Sequence, residues 1–297
     1  TMTRVAPSIA TPTFAVANNS ALRLNGVLGA INPNCDIFYS WNWGGSASSL
    51  TLLMNTNIFA KGIGGLYTRL SFFNDAALGL VPPTNVPAYI KYINEGMLAA
   101  SSTGGYNRVT IHENRGLAVS GNSRLITEGD VKLVHRGTLI SGSGSMNFFE
   151  HGGVNANGII LVSESNSYAG PVSVNGDGRN NVLVMDHPAA FGTTNLDSEL
   201  TVGSAFDFNG HNLLTLKPHS YNNSGFFGCG VIRNNNSGAA STIGCNASFG
   251  GSSMIFCGGR GDIVLAGDLR NKGGIGGPLC KVGAGALTLQ GATRATN

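Results

Sequence analysis

Two short elements recur along this chain in the same order, and that recurrence restricts its fold more than any other feature. The first is an apolar run followed by a polar turn. It reads Thr51-Leu-Leu-Met-Asn-Thr-Asn-Ile-Phe-Ala60, then Ile160-Leu-Val-Ser-Glu-Ser-Asn-Ser-Tyr-Ala-Gly170, then Leu287-Thr-Leu-Gln-Gly-Ala-Thr-Arg-Ala-Thr-Asn297. The second joins a run to a polar pair, two small residues and an apolar one. Its copies are Phe14-Ala-Val-Ala-Asn-Asn-Ser-Ala-Leu22, Leu70-Ser-Phe-Phe-Asn-Asp-Ala-Ala-Leu-Gly79 and Leu183-Val-Met-Asp-His-Pro-Ala-Ala-Phe-Gly192. Aligning Leu53, Val162 and Leu289, and likewise Leu78 and Phe191, gives a long period of roughly 115 residues, well beyond the roughly 20 to 50 residues of one solenoid coil. It is read as several coils that form a larger unit, each burying its apolar face against the next. The expected fold is an all-β, parallel β-helix in one domain, with approximate repeats at 1–60, 61–170 and 171–297.

The runs between these elements agree. Ile159–Val162, Val182–Met185, Leu213–Leu216 and Ile263–Leu265 are short, apolar and bounded by Gly, Asn, Asp or Ser, which is the punctuation of strands and turns. No hairpin dipeptides join them, as expected of parallel neighbours about 4.8 Å apart. One segment stands outside the pattern. Val86 to Ala100, interrupted by Pro87 and Gly96, is the best candidate for an irregular or helical insert, placed at 82–100.

Charge narrows the function. Only 11% of the residues are charged, against about a quarter in an ordinary soluble protein. With 44 glycines, 14 phenylalanines and 42% hydrophobic residues, the chain is polar without resembling a disordered one. A net charge of +3, with no basic run and no aromatic–basic interleaving, gives no reason to expect a nucleic acid partner. No stretch approaches the roughly 20 apolar residues of a membrane-spanning helix. Thr1 to Pro12 lack the pattern of a secretory signal, so export implies that the signal has been removed.

These residues resemble the passenger-associated repeat of autotransporters and related bacterial surface proteins. The resemblance rests on Gly283-Ala-Gly-Ala-Leu-Thr-Leu-Gln-Gly-Ala292 after Cys280-Lys281, on Asn166-Ser-Tyr-Ala-Gly170 and on Ala76-Ala-Leu-Gly79. Ser141-Gly-Ser-Gly-Ser145 and Asp207-Phe-Asn-Gly210 extend it. It implies a right-handed parallel β-helix at a bacterial cell surface, with a non-catalytic role as stalk, adhesin or scaffold. Surface glycans or host receptors are the partners that such a role implies.

Parallel β-helices also include polysaccharide-cleaving enzymes and phage tailspikes, which form the alternative reading. Such sites need paired carboxyl groups, and the chain has 15 carboxylates, mostly isolated. The densest grouping is His112, Glu113 and Arg115 with Glu128 and Asp130, which would line one face if two coils brought them together. Solvated turn charges are the competing account. The six histidines show no metal spacing, so no cofactor is expected. Gly258-Gly-Arg-Gly-Asp262 is read as a turn rather than a calcium repeat or a recognition triplet, and the Asn-x-Ser sequons at Asn18, Asn222, Asn235 and Asn246 as polar turns.

Cysteine placement carries a further expectation. Cys229, Cys245, Cys257 and Cys280 fall roughly one per coil near the C-terminal end, far from Cys35. Either they staple neighbouring coils, whose spacing suits a disulfide, or they form a buried ladder of free thiols.

The last expectation is a head-to-tail homopolymer. Within the chain the gap between the two elements is nearly constant, since Leu53 to Leu78 is close in length to Val162 to Phe191. Placing Thr1 after Asn297 puts Leu22 a closely similar distance beyond Leu289. Thr1, Phe14, Leu22, Leu287, Leu289 and Asn297 are therefore the expected joint, with Thr1 to Phe14 completing the last coil of a neighbour.

Overall fold

A computed structural model describes residues 13–17, 21–24, 38–43, 49–52, 57, 62–66, 69–93, 96–101, 108–141, 144–151, 157–162, 166–168, 170–176, 181–190, 200–202, 204–214, 219–222, 230–250, 255–271 and 278–294. Every strand pair among them is parallel. The chain winds over three faces as a parallel β-helix. A 7-stranded sheet forms the first face, a 12-stranded sheet the second and an 8-stranded sheet the third. Beyond Tyr168 the first face is resumed by a bridge from Leu213 to Ile243 and by a 3-stranded sheet. The one helical element among the described residues is a single 3-10 turn, Asp75–Leu78.

Alternation within each strand builds the core. Side chains two apart share a face, so each sheet sends columns of apolar residues inward, stacked coil upon coil. On the second face one column runs Leu70, Leu98, Leu125, Phe148 and Val174, and is continued by Tyr221 and Phe249. On the third it runs Val109, Leu133, Ile159, Leu183, Phe206, Ile232 and Cys257. On the first, Ile63, Ile90, Leu117 and Leu139 form another. These columns meet in one continuous cluster.

Steps between register partners on the second face are unequal: Leu70 to Leu98 spans visibly more chain than Val202 to Tyr221. The long sequence period is therefore not a period of the coil. The three small-small-apolar copies start from strands on three different faces: Thr13–Ala17 on the first, Arg69–Phe72 on the second, Asn181–Met185 on the third. The strand-turn copies scatter likewise, over Ser49–Leu52, Asn157–Leu161 and Leu287–Leu289. What recurs is the local chemistry of a strand entering a corner.

The insert expected at 82–100 is corrected. Val86–Ile93 and Met97–Ser101 are strands of the first and second faces, in register with their neighbours on both sides. Val86, Tyr89, Ile90, Tyr92 and Ile93 favour a pleated, half-buried surface. Pro87 is accommodated by a bulge in its own strand, where Val86 to Ile90 span the same stretch of ladder as Arg115 to Leu117 opposite. A Cβ on Gly116, opposite that bulge, would lie 2.3 Å from Pro87 O, so only glycine allows the approach.

Asn and Asp side chains close the corners by bonding the next coil. Asn246 Oδ1 accepts from Asp268 N at 2.9 Å, and Asp268 Oδ1 from Ala292 N at 3.2 Å. One corner away, Asp262 Oδ1 accepts from Ala286 N at 2.7 Å. Arg260-Gly-Asp262 is thus part of a solenoid corner. Asn234 goes further, since it is fully buried in an inward column. Its Nδ2 donates to Ala239 O and Asp262 O, each at 2.8 Å, and its Oδ1 accepts from Asn236 N at 3.1 Å. Asn234→Ala deletes all three bonds of this buried side chain, leaving Asp262 O with Ser241 N as its donor, and is expected to cost about 2 kcal/mol, read as a lowered urea midpoint.

Candidate functional site

The densest buried polar grouping surrounds Arg115, at the corner from the third face to the first. Arg115 is 0% exposed. Its Nε lies 3.1 Å from Asp75 Oδ1, Nη1 donates to Leu78 O at 3.0 Å and Nη2 to Gly79 O at 2.6 Å. The guanidinium carbon stands 4.7 Å above the Tyr89 ring, so charge, hydrogen bonds and a π face all meet one cation.

Each partner is positioned locally. Asn74 caps the 3-10 turn by accepting from Ala77 N at 2.9 Å, which presents Asp75 on the first turn. Asp75 Oδ1 also accepts from His112 N at 2.9 Å, tying this turn to the coil that carries Arg115. Tyr89 donates to Leu80 O at 2.8 Å, and Asn114 Nδ2 to Pro82 O at 2.8 Å. Burial raises the Tyr89 phenol above its ordinary range, an effect that Arg115 opposes. The carbonyls of Leu78, Gly79, Leu80 and Pro82 thus all meet side-chain donors, while Leu80 and Val81 remain 48% and 42% exposed. The arrangement grips a loop; every donor of the guanidinium that is named here is occupied by the protein's own backbone or by Asp75.

The five residues expected as a candidate acidic face are not brought together. His112, Glu113 and Arg115 lie between strand Arg108–Ile111 of the third face and strand Arg115–Ser120 of the first. Glu128 and Asp130 lie at the corner from the second face to the third, around the end of strand Ser123–Glu128. Glu128 pairs with Arg69 on the second face. A second polar grouping, missed from sequence, centres on Asp207. Its Oδ1 accepts from Asn209 N at 3.0 Å and Asn235 N at 3.1 Å, and its Oδ2 from Asn235 Nδ2 at 2.7 Å. Asn209 holds a positive φ of 49°, which Asn tolerates better than most residues. The run Asn234-Asn-Asn236 was the available signal, since Asn clusters at strand ends mark side-chain-bonded turns.

Among the described residues no disulfide joins Cys245, Cys257 and Cys280; Cys229 and Cys35 lie outside the described residues. Cys257 and Cys280 sit on paired strands, yet the register sets Phe256 against Cys280 and Cys257 against Lys281. Alternation then turns the two sulfurs to opposite faces, which is why adjacency does not make a staple. Burial pushes the Cys257 thiol up to about 12, leaving it unreactive. Among the described residues no group of three or more His, Cys, Asp or Glu could hold a metal ion.

Of the residues expected at the joint, Leu22 and Leu287 are half-buried and pack against the core, and Leu289 is 46% exposed. Phe14 belongs to strand Thr13–Ala17. Thr1 and Asn297 lie outside the described residues. Comparison with protein families, with curated proteins and with solved structures finds no match for the chain.

Proposed function

We propose that this chain is a non-catalytic structural element of an extracellular fibre or adhesin stalk at a bacterial cell surface, of the autotransporter-repeat kind, whose coils stack end to end with those of a second copy. The observation that carries the proposal is the coil-on-coil stacking that runs through the described strands to the coil at 279–294. Leu287 stands in register on Ile263 and Leu289 on Leu265, both of which are buried. The two leucines therefore continue the core columns of the coils before them. Among the described residues, strands Leu279–Gly283, Leu287–Leu289 and Thr293–Arg294 each pair on one side only, and a parallel edge of this kind accepts a further strand. Among the described residues, strands Thr13–Ala17 and Ala21–Leu24 come first in their sheets at the opposite side, with the same polarity. A copy placed there repeats the coil-on-coil packing found throughout the molecule.

The polar groupings support a scaffold. Arg115, Asp75, Asp207, Asp262 and Asp268 bond the backbone of their own or neighbouring coils, where a hydrolase would hold two carboxyl groups free across a substrate. Outer faces of such a fibre are where surface glycans or host receptors would bind.

Negative-stain micrographs and sedimentation velocity test the reading. Rods one solenoid wide should lengthen with concentration, and Leu287→Lys with Leu289→Lys should return them to single particles. Single particles at every concentration, or copies meeting side by side, would count against it, as would cleavage of a polysaccharide substrate.

A further inference from the structure

The two elements that recur in the sequence meet in the structure, and they meet in the same way twice. Asn57 and Asn166 hold equivalent positions in the strand-turn element, four residues beyond the aligned Leu53 and Val162. Ala77 and Ala190 hold equivalent positions in the small-small-apolar element, as the second of its two small residues. Asn57 Nδ2 donates to Ala77 O at 2.8 Å, and Asn166 Nδ2 donates to Ala190 O at 2.5 Å. All four residues are buried. Both acceptors close matching turns, since Ala77 N donates to Asn74 O at 3.2 Å and Ala190 N to His187 O at 3.0 Å. The residue that opens each turn also accepts through its side chain, Asn74 Oδ1 from Ala77 N and His187 Nδ1 from Ala189 N. Donor and acceptor stand 20 residues apart in one copy and 24 in the other, close to the step from Leu125 to Phe148 between neighbouring coils.

We infer that the two elements are the halves of one intercoil clasp, in which the buried asparagine of the first locks the turn of the second onto the coil before it. Asn57 holds the turn at 74–77 in this way, and Asn166 the turn at 187–190. The fixed order and nearly constant gap in the sequence then have a physical cause: the donor must precede its acceptor by one coil. The clasp at Asn166 reaches further. Its Oδ1 accepts from Leu139 N at 2.7 Å, so one amide bonds backbone groups of the coils on both sides of its own. Asparagine suits this place because a short planar amide carries donor and acceptor together, whereas a carboxylate lacks the donor and leucine lacks both. Coils of a solenoid couple mainly to their nearest neighbours, so each clasp acts on the turn that it holds and leaves the other alone.

The test is urea unfolding and hydrogen exchange of the full chain as wild type, Asn166→Leu, Asn166→Asp and Asn57→Leu, at pH 7 and at pH 5. Asn166→Leu keeps the volume and removes both bonds, so the unfolding equilibrium constant should rise at least about tenfold. The Leu139 amide and residues 187–190 should exchange faster, with the turn at 74–77 unchanged. Asn57→Leu should show the reverse pattern. Asn166→Asp should be damaged as badly at pH 7, where a carboxylate faces Ala190 O. Burial raises the pKa of such a carboxyl, and in its protonated form it donates to Ala190 O while still accepting from Leu139 N. At pH 5 it should therefore be more stable than Asn166→Leu, with Leu139 protected again. Comparing variants at one pH cancels the titration of other groups. If Asn166→Leu matches wild type, Asn166 only fills space and the clasp is wrong. An aspartate variant no better than the leucine variant at pH 5, or exchange that rises equally at both turns, also overturns it. Should Asn166→Leu fail to fold, refolding of Asn166→Asp at pH 5 but not at pH 7 supports the clasp, and failure at both overturns it.

Discussion

Arg115→Ala is expected to destabilise the protein by about 3–5 kcal/mol, the cost of breaking a buried charged pair from one side. The substitution removes a side chain that is 0% exposed and disturbs four groups at once. Gly79 O loses its guanidinium donor, Leu78 O is left with the Tyr89 hydroxyl, the Asp75 carboxylate loses its cation, and the Tyr89 ring loses the guanidinium stacked on it. Arg115→Lys should recover only part of the loss. An ammonium can replace the charge beside Asp75, but it cannot address Asp75, Leu78 O and Gly79 O from a planar fork. Because neighbouring coils of a solenoid couple mainly to one another, the damage should centre on the loop after Asp75–Leu78. Hydrogen exchange should show faster exchange at residues 79–93 than at 255–271, alongside a lowered urea midpoint. A loss below about 1 kcal/mol, or exchange that rises evenly along the chain, would mean that the loop is held by packing alone.

The clamp also marks where sequence reasoning reaches its limit. Short apolar runs bounded by Asn and Gly located strands Asn157–Leu161, Asn181–Met185 and Ile263–Leu265, because alternation and turn chemistry are local properties. The parallel fold followed from the lack of hairpin signals. Coil length did not follow, since corners absorb differing amounts of chain. Steps as unequal as Val202 to Tyr221 and Leu70 to Leu98 leave no fixed phase. Val86–Ile93 read as an interrupted helix because Pro87 looks like a breaker; its compensation is a bulge around Pro87 that needs Gly116 opposite it, on the next coil. Arg115 and Asp75 are far apart in the chain, and nothing near either residue names the other. Lys281 is similar. In sequence it is one polar residue after a cysteine, and only the register against Cys257 shows that it occupies a core column.

Acid should unfold this protein through a residue that no local pattern singled out. His135 ends strand Lys132–His135, in register with Ile111 on one side and Leu161 on the other. It is 0% exposed, and among the described residues neither ring nitrogen has a hydrogen-bond partner. Burial lowers its pKa from 6.5 to about 4, since the core cannot solvate an imidazolium. The sign follows from proton counts. Between pH 6.5 and 4 the unfolded chain binds a proton at this residue that the folded chain refuses, so stability falls as pH falls through that window. Above pH 6.5 both states are neutral and the residue has no pH effect; below about 4 its full penalty, about 3 kcal/mol, is in place. His135→Leu removes the titrating group and buries no unpaired nitrogen. At pH 7 it should be neutral or stabilising, because it deletes a polar group that the fold leaves unpaired. The decisive quantity is the difference between variant and wild type, measured by urea unfolding from pH 7.5 to 4. Other acid-titrating groups, among them His211, whose pKa burial also lowers, cancel in that difference. The variant's advantage should widen by about 3 kcal/mol across the window, and a difference that stays flat with pH would show that His135 is solvated or paired in the folded protein.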